Sequence, residues 1–313
     1  MNAPPQSLTD APLRPDARVE FAAAAELPDI LPPLRIRSGV FGLMYRHPAV
    51  ALGCVLLAVM AFLGAFAPYL GTLDPTALAT TQRTRAPSAA HWFGTDMLGR
   101  DIYSRVLYGA RISLVVGVSV AFLGSLAGLA IGLVSGMVRW SDGVIMRIMD
   151  GMMSVPPILL AVALMALTRG SVGNVITAIT LAEIPRVTRL VRGVVLSLRE
   201  QPYVDAAVAA GTRMPMIILR HILPNTLAPL TVQATYLCAS AMIVESILSF
   251  IGAGVPPITP SWGNIMAEGR ALWQVKPFIV FFPAAFLSVT VLAVNLLGDG
   301  LRDALDPRMA KRF

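Results

Sequence analysis

The chain has 313 residues, of which 56% are hydrophobic and only 14% are charged, and its formal net charge is +7. A soluble domain carries about 25% charged residues, so this composition excludes an ordinary soluble domain and is typical of a bilayer protein. Nearly all the basic residues are arginines beside apolar runs, which indicates cytoplasmic flanks of membrane helices rather than a nucleic-acid site. Both cysteines, Cys54 and Cys238, lie in apolar runs, where we interpret them as small hydrophobes.

The N-terminal segment, residues 1–40, differs from the rest of the chain. It holds seven prolines and mixed charges without apolar periodicity, so it cannot bury enough surface to offset its ordering entropy. We predict a disordered cytoplasmic tail here and a transmembrane domain over residues 41–313. The segment lacks the basic, apolar and small-residue regions of a signal peptide, so the first span is expected to remain as an uncleaved anchor.

Six apolar stretches follow in chain order, each near the roughly 20 residues that a membrane helix needs. They predict an all-α polytopic protein with spans at about 48–71, 112–138, 144–168, 173–194, 225–250 and 277–298. The fourth stretch is the weakest because Glu183 interrupts it, and Pro156 and Pro157 are expected to kink the third. Six spans place both termini on one side. In that arrangement 17 of the 25 basic residues lie inside, in line with the positive-inside rule.

Small and charged residues in the spans predict contacts between helices. Gly124, Gly128 and Gly132 recur at small-xxx-small spacing, which favours packing within this chain, with an interface to a second subunit as the alternative. Glu183 is expected to form an ion pair with Arg186 near the cytoplasmic end, in preference to contacting a substrate.

Candidate residues for a translocation path lie in the third and fifth spans. Glu245, at the outer end of the fifth span, either faces the path and meets a cationic group or caps or pairs at a subunit interface. Met149 and Met153 give the third span a soft, adaptable surface that lines either a path or the core. Asp150 is expected to pair with Arg147 at helical i, i+3 spacing.

The loop before the second span contains His91, Asp96 and Asp101 close together. Their spacing fits no common metal-ligand pattern, so we predict turn and helix-cap chemistry and no metal site.

The stretch DAAVAAGTRMPMIILRHILPN, residues 205–225, lies between two spans and begins with an element too short and polar to cross a bilayer. Good helix formers, early acidic residues and Gly211 at the cap position predict a short helix at about 201–211. A second helix is expected from near Thr212 to Pro224, running back into the membrane. From spacing alone, the short helix either rests on lipid headgroups or docks into a cytoplasmic partner.

This stretch resembles the EAA motif of permease subunits of ABC importers, with Asp in place of the usual Glu at its first position. The residues that match the motif are Asp205, Ala206, Ala207, Gly211, Leu223 and Pro224. Five further segments, in the expected order, are similar to the dipeptide, oligopeptide and nickel branch of that family, and to the second of its two permease subunits. They read HWFGTDMLGRDIYSRVLYGARISL, RHILPN, ESILSFIGAGVPP, PSWGNIMAEGR and GDGLRDALDPR.

The resemblance implies a type I ABC-importer permease fold, in which the short helix is the coupling helix that fits a cleft on an ATPase subunit. It also implies a bacterial inner-membrane location with both termini cytoplasmic. The implied partners are a second homologous permease subunit, cytoplasmic ATPase subunits and an external substrate-binding protein. The implied function is translocation of short peptides, with nickel or another small solute as the alternative substrate.

The chain is not predicted to be an enzyme. A phosphate loop needs a lysine in G-x-x-x-x-G-K-[S/T], whereas Lys276 lies in VKPF and Lys311 lies in AKRF. No cofactor is therefore expected in this chain, and the resemblance assigns ATP and Mg²⁺ to the partner ATPases. A stand-alone secondary transporter, the alternative of a different class, would use inverted repeats and paired intramembrane acids, and the sequence shows neither.

Overall fold

The computed structural model describes residues 48–305, so the predicted tail over residues 1–40 lies outside the described part. Within this range the architecture is all-α, as predicted, with one isolated β-bridge between Thr95 and Asp101. The helices are α1 (Pro48–Ala65), α2 (Ile102–Met137), α3 (Arg139–Met153), α4 (Pro157–Ala166), α5 (Val172–Arg199), α6 (Pro202–Ala209), α7 (Met214–Ile217), α8 (Leu223–Phe250), α9 (Trp262–Gly269) and α10 (Phe278–Leu305).

Between residues 48 and 305, four helical runs are long and apolar enough to cross a membrane. They are α1, α2, the continuous run Met214–Phe250, and α10. The pair α3 and α4 gives a fifth span if it is counted as one segment, although its two halves are bent by 83°. α5 has sufficient length, but Glu183 and four arginines make it too polar to qualify by composition. The six predicted spans are thus an approximate count.

Two helix boundaries differ from the prediction. α2 begins at Ile102, ten residues before the expected span, because Asp101 caps it by accepting a hydrogen bond from the Ser104 N–H. The helix expected to end at Pro224 continues instead: a π-helical stretch, Ile218–Ile222, joins α7 to α8. This wider turn lies directly before Pro224, where the proline ring and its missing N–H disturb ordinary α-helical bonding.

Glycines allow α2 to pack closely on α5. A Cβ added at Gly128 would lie 2.5 Å from Val187 Cβ, and one added at Gly132 would lie 2.7 Å from Val191 Cβ. Gly124 meets Leu237 of α8 in the same way, at 2.9 Å. The prediction that these glycines serve packing within the chain is therefore confirmed.

Ion pairs attach α3 to α5 on the side of the predicted cytoplasmic turn. Asp142 accepts two hydrogen bonds from the Arg192 guanidinium, at 2.5 and 2.6 Å. Asp150 pairs with Arg189 of α5, so the predicted pairing with Arg147 within α3 is wrong. The neighbouring helix presents a guanidinium directly to Asp150, and sequence spacing along α3 carries no information about that partner.

Glu183 forms the predicted ion pair with Arg186, at 3.2 Å, although Pro185 lies between them inside α5. The carboxyl is buried and also accepts a hydrogen bond from Ser240 Oγ of α8 at 3.4 Å. This acid therefore joins two helices of the chain.

Candidate functional site

The short helix predicted near 201–211 is present as α6. Gln201 is extended and Pro202 follows at the first helical position, where the missing proline N–H needs no partner. Val204 is buried and belongs to the main apolar cluster together with Ile217 and Ile222. Ala207 packs against the same cluster, so a bulky residue there would push α6 away from its support. Two inward side chains thus attach α6 to the membrane domain.

Gly211 ends α6 in the position that the sequence predicts. Its φ is +75°, in the left-handed region that favours glycine. The Gly211 N–H donates to the Val208 carbonyl at 2.9 Å, and the Thr212 N–H donates to the Ala207 carbonyl at 3.0 Å. These two bonds define a Schellman motif, which fixes the direction in which the chain leaves the helix.

The face of α6 that points away from the apolar cluster is not covered by any residue from 48 to 305, and we call it the outer face of α6. Asp205, Ala206 and Ala209 are exposed, and the Val208 side chain is 55% exposed. Asp205 forms no ion pair with any residue from 48 to 305. The result is a narrow ridge of small side chains, with one apolar contact and one acid, that another protein surface can approach closely.

Leu223 and Pro224 lie apart from α6, in the first turn of α8. Leu223 is half-buried and Pro224 is exposed. The intervening turns return the chain towards α6, where the Tyr203 and His221 ring centroids are 6.1 Å apart. The first part of the predicted motif therefore lies on α6, and its last two residues lie where the chain enters α8 after turning back.

The candidate path residues do not form one group with α6. Glu245 is fully buried and accepts hydrogen bonds from Ser249 Oγ at 2.8 Å and Ser113 Oγ at 3.3 Å. Met149 is buried, whereas Met153 is exposed at the end of α3. Among these three residues only Met153 has an accessible side chain, and an involvement of Glu245 in a path stays a prediction.

Sequence reasoning missed a charged cluster formed by the loop before α2, the start of α2 and α9. Arg105, only 1% exposed, and Arg100 both contact Asp96 and Glu268. The Arg100 Nε–Asp96 Oδ2 distance is 2.7 Å. The cluster attaches the loop before α2 to α9. The spacing of GTDMLGRD indicated the turn, but Glu268 lies 163 residues beyond Arg105, where no local pattern could reveal the pairing.

The rest of that loop has the turn and cap chemistry that the sequence predicts. His91 Nδ1 lies 2.9 Å from Asp101 Oδ1, and Asp101 Oδ2 accepts from the Ser104 N–H at 2.8 Å. Burial by itself raises the pKa of Asp96, but the Arg105 and Arg100 guanidinium groups and two backbone N–H groups hold it below its ordinary value.

Several helices long and apolar enough to cross a membrane, with a capped and uncovered short helix between two of them, define a polytopic membrane protein. The sequence family described as "Binding-protein-dependent transport system inner membrane component" matches residues 124–311. The chain belongs to this family.

Several curated relatives align over most of both chains. A probable peptide ABC transporter permease protein of Sinorhizobium fredii is 52% identical over 85% of this chain and 91% of its own length. A dipeptide transport system permease protein of Alkalihalophilus pseudofirmus is 40% identical over 86% and 89%. A glutathione transport system permease protein of Escherichia coli is 42% identical over 84% and 88%.

Among solved structures, the fold is similar to an inward-facing conformation of the MetNI methionine ABC transporter. The TM-score is 0.52 at 19% identity, and the alignment covers 64% of this chain and 96% of that chain. A second inward-facing form gives a TM-score of 0.54 at 20% identity. The ABC-importer permease fold implied by the sequence is thereby confirmed.

Proposed function

We propose that this permease translocates short peptides that an external binding protein delivers, driven by ATP hydrolysis on partner subunits. The curated relatives described above are named as permeases for peptides, dipeptides and glutathione, which are substrates of one chemical class. The observation that carries the proposal is α6: a rigidly capped helix whose outer face of Asp205, Ala206 and Ala209 is uncovered by residues 48–305. A second permease subunit and ATPase subunits complete the proposed assembly.

The contacts of α6 support a coupling role. Val204 and Ala207 bind it to the main cluster, and the Schellman motif at Gly211 prevents it from bending at its end. Closure of the ATPase subunits around α6 would therefore move α5 and α8 as rigid bodies. Such movement alternates access to the path between the two sides of the membrane.

The charge distribution supports a cytoplasmic location for α6 and for both termini. Arg186, Arg189, Arg192 and Arg199 all lie on the half of α5 that leads into α6. Arginine excess marks cytoplasmic loops of bacterial membrane proteins, so α6 faces the compartment that contains ATP. With no phosphate loop in this chain, ATP and Mg²⁺ belong on the partners.

Ala206→Trp tests the coupling role, because it fills the outer face of α6 without entering the core. Ala89→Trp, at another exposed alanine, in the loop before α2, is the matched control. We expect Ala206→Trp to keep a normal amount of protein in the membrane but to lose co-purifying ATPase subunits and ATP-driven uptake of a labelled dipeptide. The control is expected to keep both properties.

Two outcomes would contradict the proposal. Normal uptake by Ala206→Trp would show that the outer face of α6 does not contact the ATPase. Transport by the purified chain alone, without any ATPase, would favour a stand-alone secondary transporter. If the assembled complex takes up nickel but no dipeptide, the coupling role of α6 is still supported, but the proposed substrate class is wrong.

A further inference from the structure

The third predicted span is interrupted between α3 and α4, and we call residues 154–156 the α3–α4 break. α3 ends at Met153, α4 begins at Pro157, and the two axes are bent by 83°. In a continuous helix, the carbonyls of Met152 and Met153 would accept hydrogen bonds from the N–H groups four residues later. Those residues are Pro156 and Pro157, which have no N–H, so the sequence itself leaves both carbonyls without helical donors.

No other donor from the described range replaces them. The carbonyls of Met152, Met153, Ser154 and Val155 accept no hydrogen bond from residues 48–305, backbone or side chain. The Leu159 and Leu160 N–H groups both donate to Pro156, at 2.9 and 3.1 Å. Four consecutive backbone acceptors thus remain open. They lie at and just after the C-terminal end of α3, where the helix dipole adds negative potential.

Residues around these acceptors are accessible. Ser154 and Pro156 are exposed, and Val155 is 40% exposed. An unpaired carbonyl facing hydrocarbon costs several kcal/mol, on the order of 2–7 each. Irregular backbone at membrane depth therefore occurs only inside protein or beside water. Counted as one segment, α3 and α4 reach the length and apolarity of a span, and the break then falls between its two halves.

We infer that the α3–α4 break lines the water-filled translocation path, and that its open carbonyls form a subsite for a cationic hydrogen-bond donor of the substrate. A peptide ammonium group is such a donor. The inference therefore rests on the proposed function, and it adds the place where the ammonium group of the substrate would bind. Carbonyl oxygens of interrupted membrane helices suit cations for the same reason. The exposed Met153 side chain lies next to this subsite, and its role in lining a path stays a prediction.

Accessibility of a single thiol in the assembled transporter tests the location. Cys54 and Cys238 are replaced by alanine, and then Ser154→Cys is compared with Leu292→Cys, which is 52% exposed within the uninterrupted α10. A charged, membrane-impermeant thiosulfonate reagent attacks thiolates, which form in water and not in lipid. We expect the thiol introduced at Ser154 to react about tenfold faster or more than the one introduced at Leu292, and its modification to block ATP-driven uptake.

Substrate protection tests the chemistry of the subsite. Dialanine, added directly without binding protein, is expected to slow modification of Ser154→Cys, whereas N-acetyl-dialanine is not. Equal protection by both peptides, or by neither, would overturn the ammonium subsite. A rate for Ser154→Cys no higher than for Leu292→Cys, in a complex that still takes up peptide, would overturn the path location while leaving the proposed function intact.

A second variant removes the cause of the open carbonyls. Pro156→Ala combined with Pro157→Ala returns two N–H donors, so the helix can continue and the Met152 and Met153 carbonyls can pair. We expect ATPase subunits to remain bound and uptake to fall at least about tenfold, since the acceptors are occupied. Unchanged uptake would overturn the carbonyl subsite. Failure of the wild-type chain to bind ATPase subunits would instead contradict the proposed function.

Discussion

Gly211 controls how α6 ends. A side chain at this position would have space around it, but the backbone conformation is unfavourable for most residues other than glycine. No atom lies within 4 Å of the position that a Cβ would occupy, yet φ is +75°. Substitutions at Gly211 therefore change the backbone at the end of α6 and leave the packing around it unchanged.

We expect uptake to fall progressively from Gly211→Asn to Gly211→Ala to Gly211→Pro. Asparagine tolerates the left-handed region, alanine costs about 1–2 kcal/mol there, and proline cannot adopt a positive φ. Proline also removes the N–H that bonds to Val208. All three variants are expected to insert normally, as judged by immunoblot, while ATP-driven dipeptide uptake reports coupling. Equal uptake by all three would mean that the cap has no part in coupling.

Asp96 makes the stability of the charged cluster with Arg100, Arg105 and Glu268 depend on pH. Its pKa is lower in the folded protein than the ordinary 3.8, so its ionised form adds stability above that pH. This contribution is lost as the pH falls through the lowered value. We expect Asp96→Asn to cost about 3–5 kcal/mol at pH 7, because Arg105 and Arg100 lose a buried partner, and to flatten the decline in acid.

Thermal unfolding in detergent at pH 7 and at acidic pH checks this expectation. Asp303→Asn, at an exposed acid of α10, is the control that leaves the midpoint unchanged. A midpoint for Asp96→Asn equal to that of the control at pH 7 would show that the charged cluster does not stabilise the protein.

At the scale of helices, the sequence predicted which helices are present better than where each of them begins and ends. α1, α2, α8 and α10 follow directly from apolar length, and the cap at Gly211 follows from glycine chemistry. The break between α3 and α4 exceeds the predicted kink because two adjacent prolines remove consecutive donors. Partners such as Arg189 for Asp150 depend on which helices become neighbours, and no local spacing encodes that choice.

Replacement by alanine is expected to have opposite effects on stability at two glycines, one at the contact between α2 and α5 and one on α5 away from any neighbour. A methyl group at Gly128 meets Val187 at 2.5 Å, whereas one at Gly193 meets nothing within 4 Å. We expect Gly128→Ala to destabilise the fold by about 1–3 kcal/mol through overpacking. Gly193→Ala is expected to stabilise it by about 0.5–1 kcal/mol through reduced backbone entropy of the unfolded chain.

Fluorescence-detected size-exclusion chromatography after heating compares these two variants with the wild type. The expected result is a lower midpoint for Gly128→Ala and a higher one for Gly193→Ala. If the two midpoints shift together, close packing of α2 on α5 is not what limits stability.

At the scale of the whole molecule, the proposed orientation in the membrane rests on the arginines of α5 and on the position of α6 between α5 and α8. We expect alkaline phosphatase fused after Ala90 to be active, because the proposed orientation places the loop before α2 outside. The same reporter fused after Gly211 is expected to be inactive, and green fluorescent protein at that position is expected to fluoresce. The reverse pattern would place α6 outside and remove the basis for ATPase coupling.

The charged cluster also sets an order of events during synthesis. Asp96, Arg100 and Arg105 emerge from the ribosome about 160 residues before Glu268, which at bacterial elongation rates is on the order of ten seconds or more. Until then the two guanidinium groups share a single carboxylate, and the loop before α2 has no partner on α9. The ion pairs between these arginines and Glu268 can therefore form only after the helices between them have been synthesised, and a chain truncated before α9 would lack those pairs.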